Sequence, residues 1–197
     1  MSAPLLLAST SPQRRAILEQ LGLPFEVVAP RYDERHDERH DAGLAPAELV
    51  RAHAAGKARS VADEAEERPV LGVDTAVVVD GRVLGKPGDE AEAAEMLGAL
   101  SGRTHVVVSG LCLLTPGWEL VEHEETSVSF RKLTPRDIAA YVSSGEWRGR
   151  AGGYAIQGLG ATLVDRVEGD YLNVVGLPAA LLVRLLAERF PGAYGIG

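Results

Sequence analysis

The sequence predicts an α/β chain forming one domain, or one domain carrying a lobe, on three observations. Short Val- and Leu-rich runs alternate with segments whose apolar residues recur at helical spacing, the pattern of a sheet flanked by helices. At 197 residues, with 46% hydrophobic and 24% charged side chains, the chain can bury a proper core and has ordinary globular composition. No linker divides it, so residues 1–197 are expected to stay together as one unit.

The elements follow in order. Leu5–Ala8 reads as a short buried strand. Ser11 is a good N-cap and Pro12 suits the first helical position, so a helix starts there. It buries Ile17, Leu18 and Leu21 and stops at Gly22. Arg14 and Arg15 sit in its first turn, where they oppose the helix dipole at about 0.3–1 kcal/mol each. With the hydroxyls of Ser9 and Ser11 and the exposed N–H groups of the helix start, they make either an anion site or two arginines pointing into water. Pro24–Val28 is the next strand. After it, Asp-Glu-Arg-His occurs twice in tandem, ending at His36 and His40. That segment reads as a solvated, charge-alternating loop rather than a metal site, with Glu34 the acid nearest the strand end.

Pro46 opens a helix expected to run to about Glu66, with Ala47, Val50, Ala54, Ala58 and Val61 on its apolar stripe. Lys57 falls on the same stripe, where its charge must snorkel to the edge or meet an anion. Asp89 caps a helix to Leu100 that buries Ala93, Met96, Leu97 and Leu100, with Glu92 at capping-box spacing. A strand through Leu114 turns at Pro116-Gly117 into a second that ends near Phe130. Thr134-Pro135 opens a helix that closes at Gly145. The segment Glu146–Gly160 holds five glycines among Trp147, Arg148, Arg150, Tyr154 and Gln157. It is either an irregular connection or a backbone able to approach a flat ligand, with Gln157 offering a donor and an acceptor to a base edge. Strands at Ala161–Val167 and Tyr171–Val175, a closing helix from Leu177-Pro178 carrying Leu181, Leu182 and Leu185, and a loose tail after Phe190 complete the reading.

The chemistry centres on VLGVDTAVVVDGRVLGKP, residues 70–87. A Val-rich strand turns at Asp80-Gly81 into a second short strand, Val83-Leu84, which runs into Gly85-Lys86-Pro87. Asp74 lies inside the apolar run, where an ionised carboxylate is costly unless paired. The hairpin can bring Lys86 back to the same end of the sheet, giving either a structural ion pair or a carboxylate and an ammonium set for phosphate and metal chemistry.

A net charge of −8 argues against a non-specific nucleic-acid binder, so an anionic ligand needs a local basic pocket. The single cysteine, Cys112, lies in an apolar run and reads as a small buried hydrophobe, which suits a reducing cytosol. No apolar run reaches the length of a signal peptide or membrane span, and the expectation is a cytoplasmic protein with no membrane partner.

Six stretches in fixed order carry a resemblance: LLLASTSPQRR (5–15), FEVVAPRYDE (25–34), LGVDTAVVVDGRVLGKPGD (71–89), LSGRTH (100–105), GEWRGRAGGYAIQGLGA (145–161) and GDYLNVVGLP (169–178). Together they resemble the Maf family of nucleoside triphosphate pyrophosphatases from about Leu5 to about Leu186. The resemblance implies an elongated, mixed, strongly twisted sheet flanked by helices, with two lobes around a central cleft, and a homodimer. It implies cleavage of the α–β phosphoanhydride of a nucleoside triphosphate with a divalent metal, Mg²⁺ or Mn²⁺. Members are cytosolic house-cleaning hydrolases, and some are linked to arrest of cell division. Residue by residue, Asp74 matches the catalytic acid, and Ser9, Arg14, Arg15, Lys57 and Lys86 match the substrate site. Glu34, with Asp74, matches the metal site, although Glu38 sits in an identical tetrapeptide. Three positions separate the subgroups: Gln13, Thr75 and Gln157. Thr75 and Gln157 are similar to the dTTP/UTP subgroup, whereas Gln13 departs from its arginine; the 7-methyl-GTP subgroup has tryptophan there.

The residues agree with that chemistry. Arg14, Arg15, Lys57 and Lys86 can neutralise the roughly four charges of a triphosphate, arginine bidentately and lysine as a point charge. Two alternatives stay open at this stage, a 7-methyl-GTP pyrophosphatase and a non-enzymatic nucleotide-binding regulator of division.

Overall fold

Apolar strands alternate with helices along the chain, and the result is a mixed sheet of seven strands flanked by helices. The structure, a computed structural model, describes residues 3–33 and 43–195. The strands are β1 (Leu5–Ala8), β2 (Phe25–Val28), β3 (Val70–Val79), β4 (Arg82–Leu84), β5 (Thr104–Leu114), β6 (Glu119–Phe130) and β7 (Val164–Glu168). Neighbours run β2-β1-β3-β5-β6-β7, and β4 pairs with β3. β1 is parallel to both β2 and β3, while β4 is antiparallel to β3 and β7 antiparallel to β6. The chain divides into two compact units, the first made of Met1–Asp74, Ser109–Glu124 and Gly176–Gly197, the second of Thr75–Val108 and Glu125–Val175.

In the first unit, helix α1 (Pro12–Gln20) starts at Ser11, whose Oγ accepts from the Arg14 N–H at 3.5 Å. Ile17 and Leu18 are buried as expected, but Leu21 is 36% exposed. Leu21 is the C-cap residue, and the reversal at Gly22 (φ +67°) sends Leu23 into the core instead. Helix α2 (Pro46–Arg59) is shorter than its stripe suggested. Ser60 Oγ donates to the Lys57 carbonyl at 2.8 Å, a local bond that competes with helix continuation, and only a short 3₁₀ turn at Ala62–Glu64 follows. Val61 is still fully buried beyond the helix end.

How α2 lies on the sheet depends on two glycines. A Cβ on Gly72 of β3 would stand 2.1 Å from the Ala54 carbonyl oxygen, and one on Gly110 of β5 would stand 2.1 Å from that of Val50. Only hydrogen leaves room for helix backbone to rest on strand backbone in this way. Leu6, Ala8, Ala54, Ala58, Val70 and Cys112 fill the core beside this contact. Cys112 is the buried hydrophobe expected, and burial pushes its thiol up to about 12. The segment after Phe190 is packed rather than loose. Phe190 lies tilted against Trp118 with centroids 5.7 Å apart, Tyr194 meets Phe190 edge-on at 5.8 Å, and the Tyr194 hydroxyl donates to the Ala3 carbonyl at 3.1 Å.

In the second unit, Asp80 (φ +50°) and Gly81 (φ +75°) make the two-residue turn between β3 and β4. Helix α3 (Glu90–Leu100) takes Asp89 as its cap, with the Glu92 N–H donating to it at 2.8 Å. All four expected core residues of α3 are buried. Glu92 accepts from the Gly88 N–H rather than from the cap residue. Helix α4 (Pro135–Ser143) has a full capping box between Thr134 and Asp137. The expected strand at Tyr171–Val175 is a short helix, α5. Its β-branched Val174-Val175 suggested extension, but Asp170 accepts from the Leu172 N–H at 2.8 Å and begins a turn. Asn173 is then buried, donating to the Val107 carbonyl and to Thr126 Oγ1, both at 3.0 Å. β7 likewise starts at Val164 because Leu159–Leu163 form a 3₁₀ turn. Helix α6 (Ala179–Arg189), in the first unit, closes the chain with Leu181, Leu182 and Leu185 inside.

His105 lies in the core of the second unit, its Nε2 2.8 Å from the Tyr154 hydroxyl and its ring edge-on to Phe130. Its Nδ1 is buried without a hydrogen-bond partner among the described residues. Burial pulls its pKa down from 6.5 to about 4. The fold therefore favours the neutral ring, whose stabilisation is complete above pH 6.5 and drains away as pH falls toward 4. The loss across that window is expected to be about 3 kcal/mol, read as the difference in urea stability between pH 7 and pH 4 for wild type and His105→Gln. An equal pH slope in both proteins would remove His105 as its source.

Candidate active site

The site grows from the carboxyl ends of two parallel strands. In the register of β1 and β3, Ala8 faces Gly72, so Ser9 follows the end of the pair on one strand and Asp74 stands two residues further along the other. Open α/β sheets bind ligands at such carboxyl ends. Ser9 is buried, and its Oγ accepts from the Ser11 N–H at 3.2 Å and from Arg14 Nη1 at 3.1 Å. With both lone pairs engaged, the hydroxyl keeps its O–H to donate to an anion. Arg14 Nε donates to the Gly176 carbonyl at 2.9 Å, which ties the start of α1 to the start of the closing segment.

Asp74 is the centre of this cluster. Lys57 Nζ donates to its Oδ1 at 2.6 Å, and His53 Nδ1 lies 3.3 Å from its Oδ2. Lys57 is only 6% exposed, so the stripe lysine meets an anion and does not snorkel. His53, one helical turn earlier on α2, is buried too. The glycine contacts explain why both reach Asp74: α2 rests directly on β3 and β5, which brings its inner face down to the strand. Burial by itself would raise the Asp74 pKa. The His53 hydrogen bond and the charges of Lys57 and Arg14 outweigh it and hold the carboxyl well below the usual carboxylate range.

The structure thus brings Ser9, Arg14, Lys57 and Asp74 together in the first unit. Arg15 stands apart from them, in a surface pair with Glu19 at 2.8 Å whose side chains are 64% and 54% exposed. Gln13 turns back to its own helix start, its Oε1 accepting from Ser11 Oγ at 3.1 Å. Glu34, together with Glu38, His36 and His40, lies outside the described residues. In the second unit, Thr75 directly follows Asp74 and is half-buried, and Lys86 is exposed just past β4, where the Gly85 carbonyl accepts from the Gly152 N–H at 2.9 Å. Gln157 is exposed on a turn held by Glu146, whose carboxylate accepts from the N–H groups of Leu159 and Gly160 and from the Tyr141 hydroxyl. Trp147 and Tyr154 are core residues of that unit.

His53 was not among the residues the sequence singled out. A signal was present, since it stands four residues before Lys57 on one helix face, but a histidine there also reads as ordinary core. For a metal, no group of three or more His, Cys, Asp or Glu side chains gathers among the described residues. Among the described residues of this cluster, Asp74 supplies a hard carboxylate oxygen. That donor set suits a cation of the Mg²⁺ type, which keeps its waters and is held by one or two carboxylates plus substrate phosphates.

Known proteins resemble the chain over nearly its whole length. The family described as Maf-like protein matches residues 4–189. A dTTP/UTP pyrophosphatase of Gloeobacter violaceus is 47% identical over 189 residues, covering 95% of this chain and 97% of that protein. One from Moorella thermoacetica is 52% identical, covering 93% of each. A third, from Deinococcus radiodurans, is 44% identical, covering 97% of this chain and 95% of its own length. Among solved structures, the Staphylococcus aureus Ham1 protein is similar with a TM-score of 0.41 and 16% identity over 65% of this chain and 72% of that one, too slight a likeness to carry an argument.

Proposed function

The chain belongs to the Maf family, and on that premise we propose that it hydrolyses nucleoside triphosphates, dTTP and UTP foremost, to the monophosphate and pyrophosphate. The observation that carries the reading is a largely buried carboxylate, Asp74, kept ionised by Lys57, His53 and Arg14 at the carboxyl end of parallel strands.

Asp74 accepts a hydrogen bond from the attacking water and orients it toward the α-phosphorus. The water oxygen bonds to that phosphorus, the bond to the bridging oxygen of the β-phosphate breaks, and the proton leaves past Asp74 to solvent. A carboxyl with so low a pKa is a weak base, so orientation and charge placement supply more of the acceleration than proton abstraction. The Ser9 hydroxyl, Arg14 and Lys57 take the phosphate oxygens; Arg15, which would first have to leave its surface pair with Glu19, and Lys86 are the further cationic ligands that the family resemblance implies. A divalent cation, Mg²⁺ or Mn²⁺, held by Asp74 and by Glu34, would neutralise charge on the same oxygens. Gln13, Thr75 and Gln157 are assigned to base choice, the Gln157 amide matching the N3 donor and O4 acceptor of uracil or thymine. The proposal includes a cytosolic homodimer, as the family resemblance implies.

A product assay tests it. With dTTP, UTP, CTP and 7-methyl-GTP, each with Mg²⁺ and with Mn²⁺, the expected result is multiple-turnover release of pyrophosphate and monophosphate, fastest for dTTP and UTP. Orthophosphate as the product would move the cleaved bond to the γ-position, and binding without turnover would make the protein a regulator.

A further inference from the structure

We infer that His53 is a positioning residue for Asp74, fixing the plane of its carboxylate through Oδ2 beside the Lys57 contact to Oδ1; the inference rests on the pyrophosphatase reading above. The geometry is a clamp of two donors one helical turn apart. Lys57 Nζ takes Oδ1 at 2.6 Å, and the His53 ring takes Oδ2 at 3.3 Å. A carboxylate fixed at one oxygen swings about its Cβ–Cγ bond. Fixed at both, it presents its remaining lone pairs in one direction, which is what an in-line water needs.

Tautomer follows from the partner. Asp74 is ionised and only accepts, so the proton on the His53 side of this bond resides on Nδ1. The imidazole is itself held. It is 8% exposed, and the Tyr32 ring lies against it with centroids 5.7 Å apart and planes at 60°. Tyr32 reaches that position because Gly56 has no side chain: a Cβ there would stand 2.4 Å from the Tyr32 ring. Gly56, Tyr32, His53 and Asp74 therefore form one packed series. The direction of the bond matters for the reaction as well. A donor on Oδ2 stabilises the ionised acid and draws no lone pair from the water.

Two amide substitutions separate positioning from mere filling. The amide nitrogen of asparagine falls close to where Nδ1 stands, whereas that of glutamine falls close to Nε2. His53→Leu is expected to lower kcat for pyrophosphate release about 10–100-fold, with KM within about threefold of wild type. His53→Asn restores at least about a third of wild-type kcat, and His53→Gln does not. A purely structural role would lower both amide variants alike in step with their melting temperatures. Equal loss in Asn and Gln variants of similar stability, or wild-type kcat in His53→Leu, overturns the inference. A second measurement needs no turnover. Long-range ¹H–¹⁵N spectra of histidine-labelled protein, assigned by the signal missing from His53→Asn, should show His53 with a proton on Nδ1. A bare Nδ1 overturns the inference whatever the enzymology. If wild type releases no pyrophosphate while Nδ1 carries its proton, it is the functional reading that fails and the clamp that stands.

Discussion

Replacing Asp74 with asparagine is expected to lower pyrophosphate release by about 10²–10⁴-fold, the range for loss of a group that assists a reacting water. The dissociation constant for dTTP should stay level or fall. The reason is electrostatic: the variant removes a negative charge from the cluster that receives a polyanion, and Lys57 and Arg14 keep theirs. Shape is preserved, since the amide is isosteric and its oxygen still accepts from Lys57. Pyrophosphate release under saturating nucleotide and calorimetric binding of dTTP measure the two halves separately. Activity within a few-fold of wild type would take Asp74 out of the mechanism. Loss of binding in parallel with activity would make it a structural residue. The pH behaviour has a definite sign as well. The folded carboxyl titrates below its ordinary 3.8, so its contribution to stability is in place above about pH 4 and is lost as pH falls toward the folded value.

Local signals were legible wherever a few adjacent residues decide the backbone. Ser11, Asp89 and Thr134 cap the helices they were expected to cap, and Asp80-Gly81 makes the hairpin turn. Where several elements decide together, the sequence misled. Val174-Val175 suggested a strand, and the tail after Phe190 looked loose because nothing in it announces that Trp118 is waiting. The candidate site divides in the same way. Asp74 stood out as an acid in an apolar run and Lys57 as a cation on an apolar stripe, since each breaks a local pattern. That they pair with one another was not legible. It depends on Gly72 and Gly110 letting α2 rest on the sheet, and a glycine in a strand does not say which helix will use its space. His53 stayed hidden for a related reason, because a buried histidine breaks no pattern until its partner is known.

Lys57→Met tests the same cluster from its cationic partner, and a large loss of stability is expected. Methionine keeps most of the apolar stem and removes the charge, leaving a buried carboxylate with His53 and Arg14 as its nearest cationic or donor groups. Breaking one side of a buried ion pair typically costs about 3–5 kcal/mol, because the other charge stays desolvated. Urea unfolding at pH 7 should show that loss with little change in m-value, and pyrophosphate release should fall with it. Removing the second charge separates the two effects. Lys57→Met/Asp74→Leu replaces the pair with apolar groups of similar volume, so stability should return toward wild type while activity stays absent. The pH dependence weakens in the single variant: with Lys57 gone, only His53 and Arg14 oppose burial, the Asp74 pKa moves upward, and less stability is lost on acidification. Wild-type stability and turnover in Lys57→Met would mean that the 2.6 Å contact does not hold the site together. Recovery of stability without recovery of turnover would show that the ion pair is kept for what it does to a triphosphate, since an apolar pair folds the chain equally well.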